Sequence, residues 1–208
     1  MALPKHHLEA QALFDRIAED YQKRADTAVY NISSMSFRRR RDIVTRHVLA
    51  TPAGGTVLDY GMGPAVFGRA ATSNGSHYIG IDIAEKMVAM ARELNLPNSE
   101  FHVGDLDLLD QFVNRADTVL LIGLIDYLED PPGGLRRLAR CVKPGGRLIM
   151  SFSNRRSVPH FLRDFSKRAW RTLCPPKSNV AKAFEAPVLE NSFVPGRDLI
   201  PVLHAEGL

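Results

Sequence analysis

Between residues 56 and 152, short apolar segments alternate with stretches of helical character, and this alternation restricts the possible folds more than any other feature. The predicted strands are 56–59, 77–82, 99–103, 118–122 and 147–152, and the predicted helices are 65–73, 85–94, 108–112 and 133–141. Strands that alternate with helices indicate a parallel sheet covered by helices on both faces. We therefore predict an α/β fold with a doubly wound, mostly parallel sheet.

Helical segments are also predicted on both sides of this core. Apolar residues recur with a helical period over 8–21, and a second helix is predicted from a cap at Ser33 or Ser34 to residue 49. We divide the chain into a helical cap (1–55), the core (56–152), an insertion on the substrate side (153–195) and a last helical segment (196–208). A length of 208 residues fits one domain containing all four parts.

The composition is that of a water-soluble globular protein. Hydrophobic residues make up 45% of the chain, and 27 basic against 23 acidic residues give a net charge of +4. The run Arg38 to Arg41 could contact an anion, but a solvated helix face is the favoured interpretation. The N-terminus does not resemble a signal peptide, and no run reaches the ~20 apolar residues of a membrane-spanning helix. A cytoplasmic protein is expected, and two cysteines predict neither a metal cluster nor a disulfide framework.

A glycine-rich turn follows the first predicted strand, in the sequence VLDYGMGPAVFG. Gly61 and Gly63 allow the backbone to turn sharply and to approach a ligand closely. Val66 stands where a dinucleotide-binding turn has its third glycine, and Asp59 brings a carboxylate that would repel pyrophosphate. The turn therefore argues against a nicotinamide-dependent oxidoreductase and favours a ligand that carries positive charge.

Two further acids follow the next two predicted strands. Asp82 comes 19 residues after Gly63, close to the ~20 expected for an acid that binds ribose hydroxyls, and Asp105 follows the third strand. Ligands of such sheets bind beyond the carboxyl ends of the strands, where these acids should meet. A cationic nucleoside fits this edge, although each aspartate could instead cap a helix, as Asp107 is expected to do.

Five segments, in order, resemble the motifs of the class I S-adenosylmethionine-dependent methyltransferases. They are VLDYGMGPAVFG, YIGIDIAEKMVAMAR, FHVGDLDLL, ADTVLLIGLIDYLEDP and LARCVKPGGRLIMSF. The upstream FDRIAEDYQKRA resembles the N-terminal helix of the small-molecule branch, which includes methyltransferases of ubiquinone and menaquinone biosynthesis. The resemblance implies S-adenosylmethionine as the cofactor and methyl transfer as the activity. The family fold continues with strands six and seven, which the 208 residues are not expected to contain.

The resemblance also implies roles for individual residues on the adenosine side of the cofactor. Asp82 matches the acid that binds the ribose, and Ile83 the apolar residue against the adenine. Met87 matches a second apolar position near the adenine. Asp105 matches the acceptor for the adenine amino group, and Leu106 offers its backbone N–H.

The methionine side of the cofactor is matched by a second set of residues. Tyr21 resembles a residue that closes over this end, and the others match the glycine turn or the end of strand four. The set comprises Tyr21, Asp59, Gly61, Gly63, Ile122 and Gly123. Ile122 and Met87 would also be apolar as ordinary core residues.

A hydroxyl acceptor must lose a proton, so a general base is expected near the end of strand four. Asp126 is one candidate, and a helix cap or a structural role is its alternative. His160 is the second candidate, with a surface or packing role as its alternative. A metal-dependent site would need clustered acidic residues, and no such cluster is identified in the sequence.

Substrate specificity is expected to reside in the two appended segments. Residues 159–173 can form a basic amphipathic helix, which would lie on a membrane surface or over a lipid-like acceptor, or would pack on the sheet with solvated basic residues. A small or lipid-like acceptor methylated at oxygen is the leading hypothesis. Aromatic–basic interleaving and a DPPY-type motif are lacking, so a nucleic-acid partner is not expected. Methylation of RNA or protein, or cofactor binding without turnover, remain the alternatives.

Overall fold

The computed structural model describes residues 32–154, 156 and 191–208. The predicted helix over 8–21, with Tyr21, and the segment 159–173, with His160, lie outside these residues. The strands are β1 (Thr56–Tyr60), β2 (His77–Asp82), β3 (Ser99–Val103), β4 (Ala116–Ile122) and β5 (Val142–Ser151). The α-helices are α1 (Ile32–Leu49), α2 (Gly68–Ser73), α3 (Glu85–Glu93), α4 (Pro131–Cys141), α5 (Pro195–Asp198) and α6 (Ile200–Ala205). Two 3₁₀ helices cover Leu106–Phe112 and Ile125–Tyr127.

The five strands form one parallel sheet in the order β3-β2-β1-β4-β5. The chain moves outward from β1 to β3 and then returns to the other side of β1 with β4. The strand order therefore reverses between β1 and β4, and such a reversal opens a ligand-binding crevice at the carboxyl ends of the strands. The predicted doubly wound α/β sheet is confirmed.

Hydrophobic residues cover both faces of this sheet because successive side chains of a strand point to opposite sides. On one face, Leu58 of β1 packs in a cluster with Leu109, Leu135 and Leu138. On the other face, Val57 packs in a cluster that includes residues of α1, α2 and α3. The 3₁₀ helix Leu106–Phe112 and α4 thus lie opposite the first three α-helices, with the sheet between them.

Several element boundaries differ from the prediction by one to five residues, and three of these differences have a clear local reason. Helix α2 begins at Gly68 instead of residue 65, because Ala65 has a left-handed φ of 54°. Helix α4 begins at Pro131, two residues early, because the Asp130 side chain accepts from Gly133 N and caps it.

The third difference concerns the start of β5, which begins at Val142 and includes the predicted turn 143–146. Val142 pairs with Ala116 and Arg147 pairs with Thr118, so the intervening residues form a bulge. The predicted last helix is present as two short helices, α5 and α6, divided at Leu199. Among the described residues, no helix is both long and apolar enough to cross a membrane.

Candidate cofactor-binding site

The glycine turn after β1 depends on backbone conformations that favour glycine. Gly61 and Gly63 have φ angles of 72° and 55°, in the left-handed region. A Cβ on Gly61 would collide with the side chain of Leu124. Gly61 N and Met62 N donate to the carbonyl oxygen of Ile81, at 2.8 and 3.1 Å, which joins the turn to the end of β2.

Asp82 holds this turn from the end of β2. One carboxylate oxygen, Oδ2, accepts from Gly63 N at 2.8 Å, and the other, Oδ1, accepts from Ala84 N at 2.9 Å. The side chain is nearly buried, and Ala84, rather than Asp82, is the N-cap of α3. Each carboxylate oxygen carries two lone pairs, so this acid can accept from ligand hydroxyls while it holds the turn.

Asp59 lies within β1, one residue before its end, and its side chain is buried. Tyr78 Oη of β2 donates to its Oδ2 at 2.7 Å. Burial raises the pKa of the Asp59 carboxyl to about 7, with the Tyr78 hydrogen bond opposing the rise and Asp82 adding to it. The site therefore contains a carboxyl group that a nearby positive charge would readily ionise.

Asp105 lies just beyond β3 and is the N-cap of the 3₁₀ helix that follows. Its Oδ1 accepts from Leu106 N at 2.6 Å and from Tyr60 Oη at 3.1 Å. The alternative role of Asp105, capping, is therefore present, and Leu106 N–H is directed at Asp105 in this structure. Asp107, which was expected to cap, lies inside the helix, so that expectation is wrong. The partly exposed carboxylate can contact a ligand as well as the helix.

The two apolar residues predicted near the adenine differ in exposure. Ile83 is partly exposed just after β2, where a planar ligand could contact it. Met87 is buried in a small cluster with Ala84 and Met90. Its apolar character thus has a structural explanation in the packing of α3.

Helix α1 brings an arginine to the end of β4. The Arg40 guanidinium carbon lies 5.3 Å from the centre of the Phe37 ring. A Cβ on Gly123 would lie 3.4 Å from Arg40 Nη1, and Gly123 N donates to Ser151 Oγ at 2.8 Å. The cleft is lined by Phe37, Arg40, Arg41, Asp59, Gly61, Met62, Val66, Phe67 and Ile122.

The arginine run was interpreted as a solvated face, and for two of its members this interpretation is wrong. Arg39 is exposed, whereas Arg40 and Arg41 are partly buried and line the cleft. The signal that could have identified them is helical spacing. Phe37 and Arg40 lie on the same side of α1 as the buried Val44 and Val48.

Asp126 lies in the second 3₁₀ helix, beyond β4. Its Oδ1 accepts from Ser153 N at 3.0 Å and its Oδ2 from Ser153 Oγ at 2.6 Å. Its carbonyl oxygen accepts from Asn191 N at 2.7 Å. In the described part of the chain, no group of three or more His, Cys, Asp or Glu residues could hold a metal ion.

Comparison with known proteins gives consistent matches to methyltransferases. The profile of a family described as "Methyltransferase domain" matches residues 33–205. A demethylmenaquinone methyltransferase of Tropheryma whipplei is 31% identical over 165 residues, or 76% of this chain and 66% of that protein. A ubiquinone biosynthesis O-methyltransferase of Coxiella burnetii is 29% identical over 50% of this chain and 46% of that protein. The chain thus spans about half the length of the ubiquinone relatives that it matches.

Solved structures match over a larger part of the chain at lower identity. The magnesium protoporphyrin IX methyltransferase of Synechocystis PCC 6803, with bound SAH, has a TM-score of 0.72 and 20% identity, covering 95% of this chain and 87% of that one. The cyclase SpnF has a TM-score of 0.68 and 18% identity, covering 99% and 74%. These likenesses support the fold. By the profile match and the sequence relatives, the chain belongs to the methyltransferase-domain family, with the fold of the class I S-adenosylmethionine-dependent enzymes.

Proposed function

We propose that the protein binds S-adenosylmethionine and transfers its methyl group to an oxygen of a small or lipid-like metabolite. The observation that carries the cofactor proposal is the position of Asp82 at the end of β2 and of Asp105 just beyond β3, with Asp82 accepting from Gly63 N of the glycine turn. A cationic nucleoside needs acceptors for its hydroxyl and amino groups and a backbone without side chains close by. This edge of the sheet offers both.

The adenosine half would be bound by the residues that follow β2 and β3. Asp82 accepts hydrogen bonds from the ribose hydroxyls, and Ile83 contacts the adenine ring. Asp105 accepts from the adenine amino group. In this role the Leu106 N–H, which now donates to Asp105, would be shared with the adenine or would stay with the carboxylate.

The methionine half would lie in the cleft between α1 and the glycine turn. Arg40 is placed to bind the methionine carboxylate, because its guanidinium lies beside Gly123 and is held against Phe37. Asp59 supplies negative charge for the ammonium and sulfonium groups. Tyr21 is a further proposed contact at this end.

When bound, S-adenosylmethionine supplies a methyl group that is already activated on a sulfonium sulfur. The residues of the chain then have to orient the acceptor in line, exclude water and remove the hydroxyl proton. Asp126 and His160 are the two candidates for this base. Asp126 could take a proton only if its carboxylate partly left Ser153, since both oxygens accept from that residue.

The acceptor is proposed from the relatives. A ubiquinone biosynthesis O-methyltransferase and a demethylmenaquinone methyltransferase support an aromatic, lipid-like acceptor, and the former supports oxygen as the methylated atom. Contact with a membrane surface through 159–173 and a cytoplasmic location belong to the same proposal. The similarity of the fold to the cyclase SpnF keeps a role without methyl transfer as the second candidate.

Calorimetry with S-adenosylmethionine and S-adenosylhomocysteine tests the cofactor proposal. We expect both compounds to bind to the wild-type protein. Asp82→Ala should lower both affinities by ~100-fold or more, because it removes contacts to the ligand and the hydrogen bond that holds the turn at Gly63. Asp107→Ala is the matched control, since this exposed acid pairs with Arg137 away from the turn. If Asp82→Ala bound as tightly as Asp107→Ala, the assignment of Asp82 would be incorrect.

Methyl transfer is tested by incubating the protein with methyl-labelled S-adenosylmethionine and a cell lipid extract. We expect label in a methyl ether formed at a phenolic hydroxyl of the acceptor, and O-demethylation should release this label. Label in RNA or protein would favour the alternative acceptors. Cofactor binding with no transfer to any fraction would favour a role without turnover.

A further inference from the structure

Two tyrosines of neighbouring strands each donate a hydrogen bond to an aspartate of the candidate site. Tyr78 Oη of β2 donates to Asp59, and Tyr60 Oη of β1 donates to Asp105. Both tyrosine side chains are buried. Asp59 and Tyr60 are successive residues, so the two pairs lie on opposite faces of the sheet, one at each half of the proposed cofactor site.

The Tyr60 pair controls the orientation of the Asp105 carboxylate. Both Tyr60 Oη and Leu106 N donate to the same oxygen, Oδ1, from different directions. Rotation of the carboxylate about its Cβ–Cγ bond would break at least one of these bonds. The two donors therefore hold Oδ1 toward Tyr60 and Leu106 and fix the position of the other oxygen, Oδ2.

Tyr60 is itself held firmly. Its ring is 5% exposed and packs in the cluster that contains Leu109, Phe112 and Leu135. Burial and the nearby Asp105 hold the pKa of the Tyr60 hydroxyl well above its usual range, so the hydroxyl stays protonated. It can therefore serve as a donor to Asp105 at neutral pH.

We propose that Tyr60 is a positioning residue that makes the site selective for a purine with a 6-amino group. The inference rests on the proposed cofactor function. An oriented carboxylate accepts a hydrogen bond from the 6-amino group of adenine, whereas the 6-oxo group of hypoxanthine is itself an acceptor and is repelled. A carboxylate that can rotate discriminates less, because it can turn away from an unsuitable base.

The test compares the affinities of S-adenosylhomocysteine and S-inosylhomocysteine for the intact protein by calorimetry. The wild-type protein should prefer the adenine compound by ~100-fold or more, as expected for a site in which a held carboxylate, an acceptor, would face the 6-oxo group, a second acceptor. Tyr60→Phe should reduce this ratio about fivefold to tenfold, since it removes one of the two bonds that orient Asp105. The thermal unfolding midpoint of each variant reports whether it is folded.

Tyr78→Phe is the matched control, because it removes the same hydroxyl from a buried tyrosine–aspartate pair at the other half of the site. We expect it to leave the ratio of the two affinities unchanged. An unchanged ratio in Tyr60→Phe, or an equal fall in both variants, would overturn the proposal while leaving the cofactor function intact. Failure of the wild-type protein to bind S-adenosylhomocysteine would instead refute the proposed function.

Asp105→Asn provides a second test should Tyr60→Phe fail to fold. With Tyr60 and Leu106 donating to the amide oxygen, the amide nitrogen would take the place of Oδ2 and donate to a 6-oxo group. The preference should then shift toward S-inosylhomocysteine by tenfold or more relative to the wild-type protein, the scale of one hydrogen bond lost and one gained. A retained preference for the adenine compound would contradict the proposed orientation.

Discussion

At the scale of single residues, the most unusual group is the Asp59 carboxyl. It is buried near the end of β1 with Tyr78 as its hydrogen-bond donor, and its pKa is raised to about 7 from 3.8. The facing charged groups are Asp82 from the end of β2, and Arg40 and Arg41 from α1. A cationic ligand in the cleft would stabilise the ionised form. Binding of the ligand should therefore expel a proton from Asp59.

Proton release on binding is measurable around neutral pH. We expect S-adenosylmethionine to bind with release of up to one proton and with an affinity that rises as the pH increases from about 6 to about 8. Calorimetry in buffers of different ionisation enthalpy measures the number of protons. Asp59→Asn should abolish this release and flatten the pH dependence. If the variant released as many protons as the wild-type protein, another group would be responsible.

The same carboxyl affects the stability of the ligand-free protein. Because its pKa is higher in the folded state, the folded protein binds more protons than the unfolded chain between about pH 4 and pH 7. The free energy of unfolding should therefore fall as the pH rises through this window and become level above it. Asp59→Asn should show a smaller fall, measured by urea unfolding at a series of pH values. An identical profile for the variant would show that Asp59 does not titrate in this range.

At the scale of elements, helix α1 is the part of the site that does not belong to the sheet. Its Arg40 lies beside Gly123, at the end of β4. Arg40→Ala should lower the affinity for S-adenosylhomocysteine by about tenfold to 100-fold, the usual range for a lost charge-assisted hydrogen bond. The same variant should bind methylthioadenosine, which lacks the amino-acid carboxylate, as tightly as the wild-type protein does.

Arg39→Ala is the control for the total charge of α1, because Arg39 is exposed on the same turn of the helix. It should leave the affinities of both ligands unchanged, as measured by calorimetry at a fixed salt concentration. Equal losses for the two ligands in Arg40→Ala would mean that the arginine supports the fold of the cleft and does not bind the carboxylate.

The strands were predictable because their signal is local, whereas several contacts of the site depend on tertiary packing. Alternation of apolar segments is sufficient to place β1 to β5 within a few residues. The meeting of Tyr60 with Asp105 depends on the strand order β3-β2-β1, which brings residues 45 positions apart into contact. The position of Arg40 depends on how α1 packs on the sheet. Local conformations such as the left-handed φ of Ala65 decided the helix boundaries that were predicted incorrectly.

At the scale of the whole molecule, Asp126 connects three parts of the chain that are distant in sequence. Its side chain binds Ser153, just beyond β5, and its backbone carbonyl binds Asn191, where the described chain resumes. Phe193 N also donates to the Ser153 carbonyl oxygen at 2.9 Å. The residues on the two sides of 157–190 are thus joined to each other and to the end of β4. A carboxylate used in this way serves as a clamp, whether or not it also acts as a base.

The two roles of Asp126 predict different kinetics once an acceptor is identified. A clamp shares its function with Ser153, so Asp126→Ala and Ser153→Ala should both raise KM for the acceptor and lower the unfolding midpoint. The pH dependence of kcat should stay as in the wild-type protein, because in this case the catalytic proton acceptor is another group and is still present. If Asp126 is the base, Asp126→Asn should lower kcat by about 100-fold or more and remove one limb of the pH profile of kcat. Ser153→Ala should then have little effect. We expect the clamp pattern, since both carboxylate oxygens already accept from Ser153.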